Sequence, residues 1–444
     1  MFGSKFLGNT HVPHHKNTAD MPAVRMTAPQ EVLLPIVQHI GAPANAIVNV
    51  GDEVKVGQLI AEQSGYVCAP VHASVSGKVV KIENFLFANG REVPCIRIES
   101  DGLMTASESV TPPAINDIDS FVEAVKACGL VGLGGAGFPA SVKLDAVKKG
   151  GINTVVINAA ECEPYITSDT RTMLDRTEDL ANGIALLEKY VPTAEKIIFG
   201  IENNKPECIK KMKETFKGNP KVSVVSLPSL YPQGAEKILI YNTTKRVVPE
   251  GKLPADVGVL VMNVTSLAVL ASFVKTGMPL VEKCVTIDGS AVKEPKNLIV
   301  PVGTSIRDAL TFAGVDFEAI GKVLLGGPMM GIAVCSLDEP IDKRTNAVTV
   351  MSVKDSVERE ATACIHCGKC VEACPMNLDP TALSKALNLP EEDKVARLEE
   401  QRINLCMECG CCSFVCPANR PLVQNNRLAK VAVREYKAHK STLK

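Results

Sequence analysis

Two cysteine runs in the last quarter of the chain have the spacing of iron–sulfur ligands. Each follows the pattern Cys-x2-Cys-x2-Cys-x3-Cys-Pro, which binds cubane [4Fe–4S] clusters. The eight cysteines are Cys364, Cys367, Cys370, Cys374, Cys406, Cys409, Cys412 and Cys416. Three close thiolates can bind three irons of one cube, while the fourth, stiffened by the following proline, binds the other cluster. We therefore expect Cys416 to complete the first cluster and Cys374 the second.

Zinc is the alternative for such cysteines, but a duplicated run that ends in Cys-Pro favours iron–sulfur clusters. Cys411 lies outside both patterns and is interpreted as a filler residue. Nine of the 16 cysteines fall between Cys364 and Cys416, a distribution that indicates a reducing compartment and not a secreted disulfide framework. No apolar run of signal-peptide length is found at the start, so we expect the chain to begin in the cytoplasm.

Clusters conduct single electrons, so another part of the chain should hold their donor or acceptor. Residues 132–139 (GLGGAGFP), followed by Lys143, leave backbone amides free of side chains, and such a loop favours a phosphate group. The loop precedes the first clear strand, TVVINAA, unlike an ordinary dinucleotide fingerprint. By itself it indicates a phosphate site without identifying the ligand.

Alternating helical and extended stretches surround this loop between residues 112 and 280. SFVEAVKACG, LANGIALLEKYV and KPECIKKMKETFK are predicted as helices, and TVVINAA, EKIIFGIE and KVSVVSL as strands. Such alternation predicts an α/β domain with a mostly parallel sheet, whose ligands bind at the carboxyl ends of the strands. The uncharged residues 257–274 are interpreted as a strand that runs into a helix, and not as a membrane span.

The remaining residues predict further domains, because 444 residues are too many for one core. Residues 1–26, with HVPHHK, form an extension to which we assign no metal. Residues 27–100 show short alternating runs typical of a small β-barrel or sandwich. Residues 281–350 predict two or three strands with one helix, and residues 351–444 are rich in helix around the cysteines.

Charge and composition limit the partners of the chain. The formal charge is -1, there is no Trp, and only 4% of residues are aromatic, which argues against nucleic-acid binding. The last segment carries Arg427, Lys430, Arg434 and Lys437 at helical spacing, so one helix face is basic. This face is either solvated or in contact with an acidic partner or an anionic membrane surface.

Three motifs, GLGGAGFPASVK, VINAAECEP and MNVTSLAVL, resemble the FMN- and NADH-binding subunit of respiratory complex I. The resemblance implies a Rossmann-like domain over residues 112–280 that binds FMN non-covalently, with NADH stacked over the flavin. The implied cofactor-binding residues are Gly132, Gly134, Gly135, Gly137, Lys143, Asn158, Glu161, Glu163, Asn263 and Thr265. Phe138 and Glu236 are the implied neighbours of the reacting flavin face. Ala160 and Ala235 stand where that family has acidic residues.

Two other domains resemble known modules. VGDEVKVGQLIAE and ASVSGKVVKI are similar to biotinyl/lipoyl-type barrel-sandwich domains, but Tyr66 stands where the carrier lysine would be, so we interpret residues 27–100 as a scaffold. Residues 281–350 resemble the soluble-ligand-binding β-grasp domain of the same complex I subunit. Residues 351–444 resemble a two-cluster ferredoxin-type domain with a basic terminal helix.

The complete order of these parts, including GGPMMG before the cysteine runs, resembles the RnfC family, the C subunit of the Rnf electron-transport complex. That resemblance implies a peripheral subunit on the cytoplasmic face of the cell membrane that passes electrons between NAD(H), FMN and two [4Fe–4S] clusters. The implied partners are the other Rnf subunits and, indirectly, ferredoxin, and the complex couples ferredoxin:NAD+ oxidoreduction to Na+ or H+ translocation.

Two alternatives stay open at this point. One is a soluble flavin/iron–sulfur reductase such as a corrin reductase, and the other is a non-catalytic electron conduit or assembly scaffold that has lost its flavin site. The sequence leaves open the coupling ion, the direction of electron flow and which cluster is nearer the flavin.

Overall fold

The computed structural model describes residues 8–442, so the first seven residues of the predicted extension and the last two of the cluster domain lie outside the described residues. Within that range, none of the helices combines the length and apolar character that crossing a bilayer requires. The uncharged segment contains a strand, Val259–Asn263, followed directly by a helix, Val264–Thr276, as predicted.

The first part of the described chain consists of strands. After β1 (Val24–Arg25), seven strands form two small antiparallel sheets that enclose one apolar core. They are β2 (Glu31–Pro35), β3 (Asn45–Ala46), β4 (Glu53–Val54), β5 (Leu59–Glu62), β6 (Val71–His72), β7 (Gly77–Leu86) and β8 (Glu92–Ser100). The sheet orders are β2-β8-β7-β4 and β3-β5-β6. Alternate residues such as Val32, Leu34, Ile96 and Ile98 point into the core, which confirms the predicted barrel-sandwich.

The second part is an α/β unit with a fully parallel sheet of order β11-β10-β9-β12. Its elements are α1 (Ile118–Ala127), α2 (Ala140–Asp145), β9 (Thr154–Ala159), α3 (Ser168–Asp175), α4 (Thr177–Tyr190), β10 (Lys196–Glu202), α5 (Pro206–Thr215), β11 (Val222–Leu227), α6 (Glu236–Thr244), β12 (Val259–Asn263) and α7 (Val264–Thr276). The predicted parallel sheet is confirmed. The strands β9, β10 and β12 are buried on both faces, because an apolar core lies on each side of the sheet, whereas the edge strand β11 is partly exposed.

Asn263 marks the junction of β12 and α7. Its side-chain oxygen accepts a hydrogen bond from Ser266 N at 3.1 Å, which caps the helix. The helix ends at Gly277, whose φ of 77° lies in the left-handed region. The junction therefore places an amide side chain at the carboxyl edge of the sheet.

The third part is a mixed six-stranded sheet of order β1-β14-β13-β17-β15-β16, packed against one main helix. Its elements are β13 (Glu282–Asp288), β14 (Lys296–Pro301), α8 (Ile306–Ala313), β15 (Ile320–Leu325), β16 (Ile332–Ala333) and β17 (Ala347–Ser352). Because β1 pairs in parallel with β14, the segment before the barrel is joined to this distant sheet.

The last part is helical, as predicted, and surrounds the cysteines. The helices are α9 (Lys369–Glu372), α10 (Pro380–Ala386), α11 (Glu391–Glu400), α12 (Cys411–Phe414) and α13 (Leu422–Thr442). Leu383, Leu398, Ala429 and Val433 form their shared core, so α13 holds the shorter helices together.

Candidate functional site

The eight predicted cluster cysteines line two separate cavities. The inner cavity is lined by Cys374, Cys406, Cys409 and Cys412, and the outer cavity by Cys364, Cys367, Cys370 and Cys416. In each cavity the fourth cysteine comes from the opposite run, and this grouping supports the crossed assignment. Four thiols around a cavity fit the donor set of a cubane cluster. Among residues 8–442, no three His, Cys, Asp or Glu side chains are placed to hold a single metal ion.

Hydrogen-bond donors reach the cysteine sulfurs. Leu378 N lies 3.3 Å from Cys374 Sγ, and Asn426 Nδ2 lies 3.5 Å from Cys406 Sγ. Donors to cluster sulfurs stabilise negative charge on them and raise the reduction potential. The surroundings therefore also fit anionic clusters.

The inner-cavity loop contacts the α/β unit directly. The buried Tyr231 hydroxyl donates to Cys409 O at 2.7 Å, and Cys411 Sγ lies 3.8 Å from Tyr231 O. Cys411 is fully buried in this contact, so the predicted filler residue lies at the junction between two parts of the chain. Gly410 has a φ of 82°, and a Cβ there would lie 2.6 Å from Met329 O of the GGPMMG segment. The inner-cavity loop, the segment that contains Tyr231 and the GGPMMG segment therefore contact each other here.

The glycine-rich loop is closed on itself and open at its tip. Gly132 N donates to Phe138 O at 2.8 Å, and Gly137 N donates to Gly132 O at 3.1 Å. Gly134 and Gly135 are exposed, and a Cβ on Gly135, whose φ is 106°, would meet no atom within 4 Å. The loop therefore presents backbone amides beside free space, which fits a phosphate or a flavin.

Lys143 and Glu236 lie next to each other beside the sheet. Lys143 Nζ is 2.8 Å from Glu236 Oε2 and 3.3 Å from Val261 O, and both side chains are partly exposed. Glu236 begins α6, where a carboxylate is stabilised by the helix dipole. The half-buried Phe138 closes the loop through its carbonyl oxygen. These positions leave Lys143 able to exchange a carboxylate partner for a phosphate.

Asn158 and Asn263 face each other in register at the carboxyl ends of β9 and β12. Asn158 Nδ2 donates to Gly234 O at 2.9 Å, and Asn263 Nδ2 donates to Asp169 Oδ2 at 2.8 Å. Thr265 Oγ1 donates to the other oxygen of Asp169 at 2.6 Å. The Asp169 carboxylate thus joins two predicted residues. Burial and the nearby Glu161 charge raise the pKa of Asp169 above its ordinary value.

Gly134 belongs to the same group, because a Cβ on it would lie 3.4 Å from Asn263 Nδ2. The structure therefore brings together the glycine-rich loop, Lys143, Glu236, Asn158, Asn263 and Thr265 at one edge of the sheet.

The two predicted glutamates turn towards protein atoms. The Glu161 carboxylate accepts from Asp169 N at 2.6 Å and from Thr170 Oγ1 at 2.6 Å, at the start of α3. The Glu163 carboxylate accepts from the amides of Met329 at 3.1 Å and Met330 at 2.7 Å. Burial raises the pKa of Glu163 to about 7. In this structure both carboxylates accept hydrogen bonds from other parts of the protein, and their contact with a cofactor stays a prediction.

Sequence reasoning missed several of these contacts. Asp169 lies in the first turn of a helix, a position where an acid is common and gives no distinct signal. Tyr231 begins a segment that resembles the YxxGEE motif of the complex I subunit, but its contact with Cys409, 178 positions away, has no local signal. Lys16 belongs to HVPHHK, but nothing in a short extension indicates that its ammonium is buried.

The barrel-sandwich also contacts the α/β unit. Tyr66, at the carrier-lysine position, donates its hydroxyl to Asp145 Oδ2 at 2.7 Å. Ile40 N donates to Gly137 O at 3.0 Å, so the barrel supports the back of the glycine-rich loop. These contacts fit a scaffold role.

The basic face of α13 is largely paired within the chain. Arg427 and Lys430 form ion pairs with Glu408, and Lys437 pairs with Glu399. Lys430 Nζ also donates to Cys406 O at 3.2 Å. The Glu408 pairs fasten α13 to the inner-cavity loop and the Glu399 pair fastens it to α11, which favours an internal role over contact with an acidic partner.

Comparisons with protein families match three parts of the chain. Residues 4–103 match the RnfC barrel sandwich hybrid domain, residues 125–272 the Nuo51 FMN-binding domain, and residues 344–420 a 4Fe-4S dicluster domain.

Curated relatives cover most of the chain. It is 42% identical over 85% of its length, and 83% of the relative's, to the C subunit of the proton-translocating ferredoxin:NAD(+) oxidoreductase complex of Clostridium ljungdahlii. It is 40% identical over 86% of both chains to the Na(+)-translocating counterpart of Acetobacterium woodii. It is 37% identical over 98% of its length, and 84% of the relative's, to the C subunit of an ion-translocating oxidoreductase complex of Rhodobacter capsulatus.

Among solved structures, NAD+-reducing [NiFe]-hydrogenase in the H2-reduced state has a similar fold. The TM-score is 0.51 at 20% identity, over 70% of this chain and 60% of the other.

Proposed function

Because the chain belongs to the RnfC family, the C subunits of ion-translocating ferredoxin:NAD+ oxidoreductase complexes, we propose that it is the subunit that exchanges electrons with NAD(H). It passes them through FMN and two [4Fe–4S] clusters towards the other subunits, as part of ferredoxin:NAD+ oxidoreduction coupled to Na+ or H+ translocation. We place it at the cytoplasmic face of the membrane, bound through its partners.

One observation carries this proposal: a single short segment touches both redox sites. At residue 231 the Tyr231 hydroxyl holds Cys409 O at 2.7 Å, and five residues later Glu236 lies 2.8 Å from Lys143 Nζ at the flavin site. A flavin and a cluster bound at these places would be neighbours. That is the arrangement that electron transfer between them requires.

A bound flavin accepts two electrons as hydride from NADH and releases them singly to iron–sulfur clusters. We propose that the loop of residues 132–137 binds its phosphate through the amides at its exposed tip, residues 134–136, together with the Lys143 ammonium, because the amides of Gly132 and Gly137 already donate within the loop. Asn158, Asn263 and Thr265 would orient the isoalloxazine at the strand ends, where Asp169 holds Asn263 and Thr265 and the Gly234 carbonyl holds Asn158. Phe138 and Glu236 are the residues we place beside the nicotinamide.

The cluster bound in the inner cavity is proposed to be the one nearer the flavin. Its loop contacts Tyr231 and Met329, whereas the outer cavity has the exposed Cys367. Electrons would then pass between flavin, inner cluster and outer cluster, and leave or enter at the exposed side.

The domain limits follow the same proposal. We assign residues 1–26 to the extension, 27–100 to the barrel-sandwich, 112–280 to the flavin domain and 351–444 to the cluster domain. Residues 281–350 form a β-grasp domain, which the mixed sheet packed around α8 supports.

FMN binding tests the site. Lys143→Ala should raise the Kd for FMN roughly tenfold or more, because a charge-assisted hydrogen bond contributes about 1.5–3 kcal/mol and the unpaired Glu236 would repel phosphate. Gly135→Val should also weaken binding, because a β-branched residue is strained at a φ of 106° and fills the free space. Gly90→Val, at a φ of 77° in a barrel turn that is equally open, is the control. Unchanged FMN affinity in both Lys143→Ala and Gly135→Val would place the site elsewhere.

A further inference from the structure

The segment that contains HVPHHK lies against the turn that follows β9. Tyr165 N donates to His14 O at 2.9 Å, and the His15 ring stacks on the Tyr165 ring at 4.8 Å. Upstream, Thr10 exchanges two backbone hydrogen bonds of 2.9 Å with Tyr231. The extension is therefore packed between the two loops that carry the flavin-site residues.

Lys16 makes the most specific contact of this segment. Its Nζ donates to the carbonyl oxygens of Glu161, Glu163 and Ile166, each at 2.7 Å. An ammonium has three protons, so all of its donors are used on one backbone turn. The Lys16 ammonium is thus bound by three backbone carbonyls of the protein, which take the place of water.

The turn of residues 160–166 has a conformation that needs such support. Glu161 and Tyr165 have φ values of 51° and 70°, which are unfavourable for residues other than glycine. Three carbonyls pointing at one place also repel each other unless a donor lies between them. Lys205 holds the start of the turn, through Ala160 O at 2.7 Å, and pairs with the buried Glu202. Burial and the Lys205 charge lower the pKa of Lys16 to about 8.

The turn acts on the flavin site through Glu161. The Glu161 backbone is held by Lys16, and its carboxylate accepts from Asp169 N and from Thr170 at the start of α3. Asp169 in turn accepts from Asn263 and Thr265. A continuous series of hydrogen bonds thus leads from Lys16 to two predicted flavin-binding residues.

We propose that Lys16 is a positioning residue of the flavin site: its ammonium holds the 160–166 turn so that Glu161 and Asp169 place Asn263 and Thr265 for the flavin. The inference rests on the proposed flavin function and adds to it a role for the N-terminal extension. Lys16 touches neither flavin nor nicotinamide in this account.

The test compares Lys16→Met with Lys275→Met in the full chain, reconstituted anaerobically with iron and sulfide and titrated with FMN. Methionine keeps most of the length of the side chain and removes its charge and its donors. Lys275 is a surface lysine of the flavin domain, paired with Glu178. Lys16→Met should raise the Kd for FMN about tenfold or more, and Lys275→Met should change it less than about twofold. Iron content should be equal in both.

A second variant separates positioning from general stability. Lys16→Ala leaves space for a small primary ammonium, so n-propylammonium chloride should restore FMN affinity. Tetramethylammonium chloride carries the same charge without N–H donors and should not restore it.

Three results would overturn the inference. The first is equal FMN affinity in Lys16→Met and Lys275→Met. The second is equal rescue of Lys16→Ala by both ammonium salts. The third is a Lys16 variant that loses bound iron and thermal stability along with FMN affinity, and whose FMN affinity neither salt restores. If the unaltered chain bound no FMN, the proposed function would fail first and the inference with it, and that outcome is distinguishable from the other three.

Discussion

The inner and outer cavities have ligands of identical spacing and different surroundings. In the inner cavity Cys374, Cys409 and Cys412 are 9%, 8% and 7% exposed. The other lining residues are mostly apolar, among them Met376, Leu378 and Met407, with Glu408 and Asn426 as the polar side chains. In the outer cavity Cys367 is exposed, and Asp379, Lys385 and Arg420 are among the lining residues. A repeated motif therefore places two clusters in different dielectric environments.

The difference arises from what packs against each run. The loop with Cys409 and Gly410, in the inner cavity, contacts Tyr231 and the GGPMMG segment, so other parts of the chain cover it. The outer cavity is lined only by residues of the cluster domain, among them several polar side chains. The spacing of a motif sets the type of cluster, whereas the neighbouring domains set how far its ligands are buried.

The largest expected effect separates the two cavities by their fourth ligands. Cys374→Ala should remove the cluster of Cys406, Cys409 and Cys412, and Cys416→Ala should remove the other. Each variant should bind about four irons per chain, against about eight in the unaltered protein. Electron paramagnetic resonance of the reduced protein should show a different remaining signal in each variant. Identical remaining signals, or loss of the cluster from the variant's own run, would contradict the crossed assignment.

A moderate effect is expected at the contact between the inner cavity and the flavin domain. Tyr231→Phe removes only the hydroxyl that holds Cys409 O, so the distance between flavin and cluster becomes less constrained. In stopped-flow mixing with NADH, flavin bleaching should keep its rate while cluster reduction slows severalfold. Tyr241→Phe, in α6 and away from the cluster loop, is the matched control. Equal slowing of both phases in Tyr231→Phe would indicate a general structural defect.

The smallest expected effect concerns the potential of the inner cluster. Asn426→Leu removes the donor that lies 3.5 Å from Cys406 Sγ and should lower the reduction potential of that cluster, because less negative charge is stabilised. Asn425→Leu removes the neighbouring amide, which bonds to Ser384 Oγ instead, and should leave the potential unchanged. Redox titration followed by electron paramagnetic resonance measures both. If Asn426→Leu shifted the outer-cluster signal instead, the assignment of this donor to the inner cluster would be wrong.

Sequence reasoning succeeded where the signal is local. The cysteine spacing, the alternation around TVVINAA and the strand-to-helix segment before Lys275 each depend on a few adjacent residues. Each of these predictions corresponds to a feature of the structure.

Contacts between distant segments could not be predicted from the sequence. Lys16 meets Glu161 across 145 positions, and β1 pairs with β14 near residue 298, which no local pattern indicates. The predicted glutamates show the same limit. Glu161 and Glu163 fit a family motif, yet their carboxylates accept from backbone amides that only the folded chain brings near.

Reduction by NADH tests the central claim most directly. The full chain, reconstituted anaerobically with FMN, iron and sulfide, is mixed with NADH in a stopped-flow spectrometer and frozen at intervals for electron paramagnetic resonance. We expect the flavin to bleach first and a cluster signal to follow, with the inner cluster reduced before or together with the outer one. A flavin that dithionite reduces but NADH never reduces, in protein with both clusters present, would contradict the claim that this chain exchanges electrons with NAD(H).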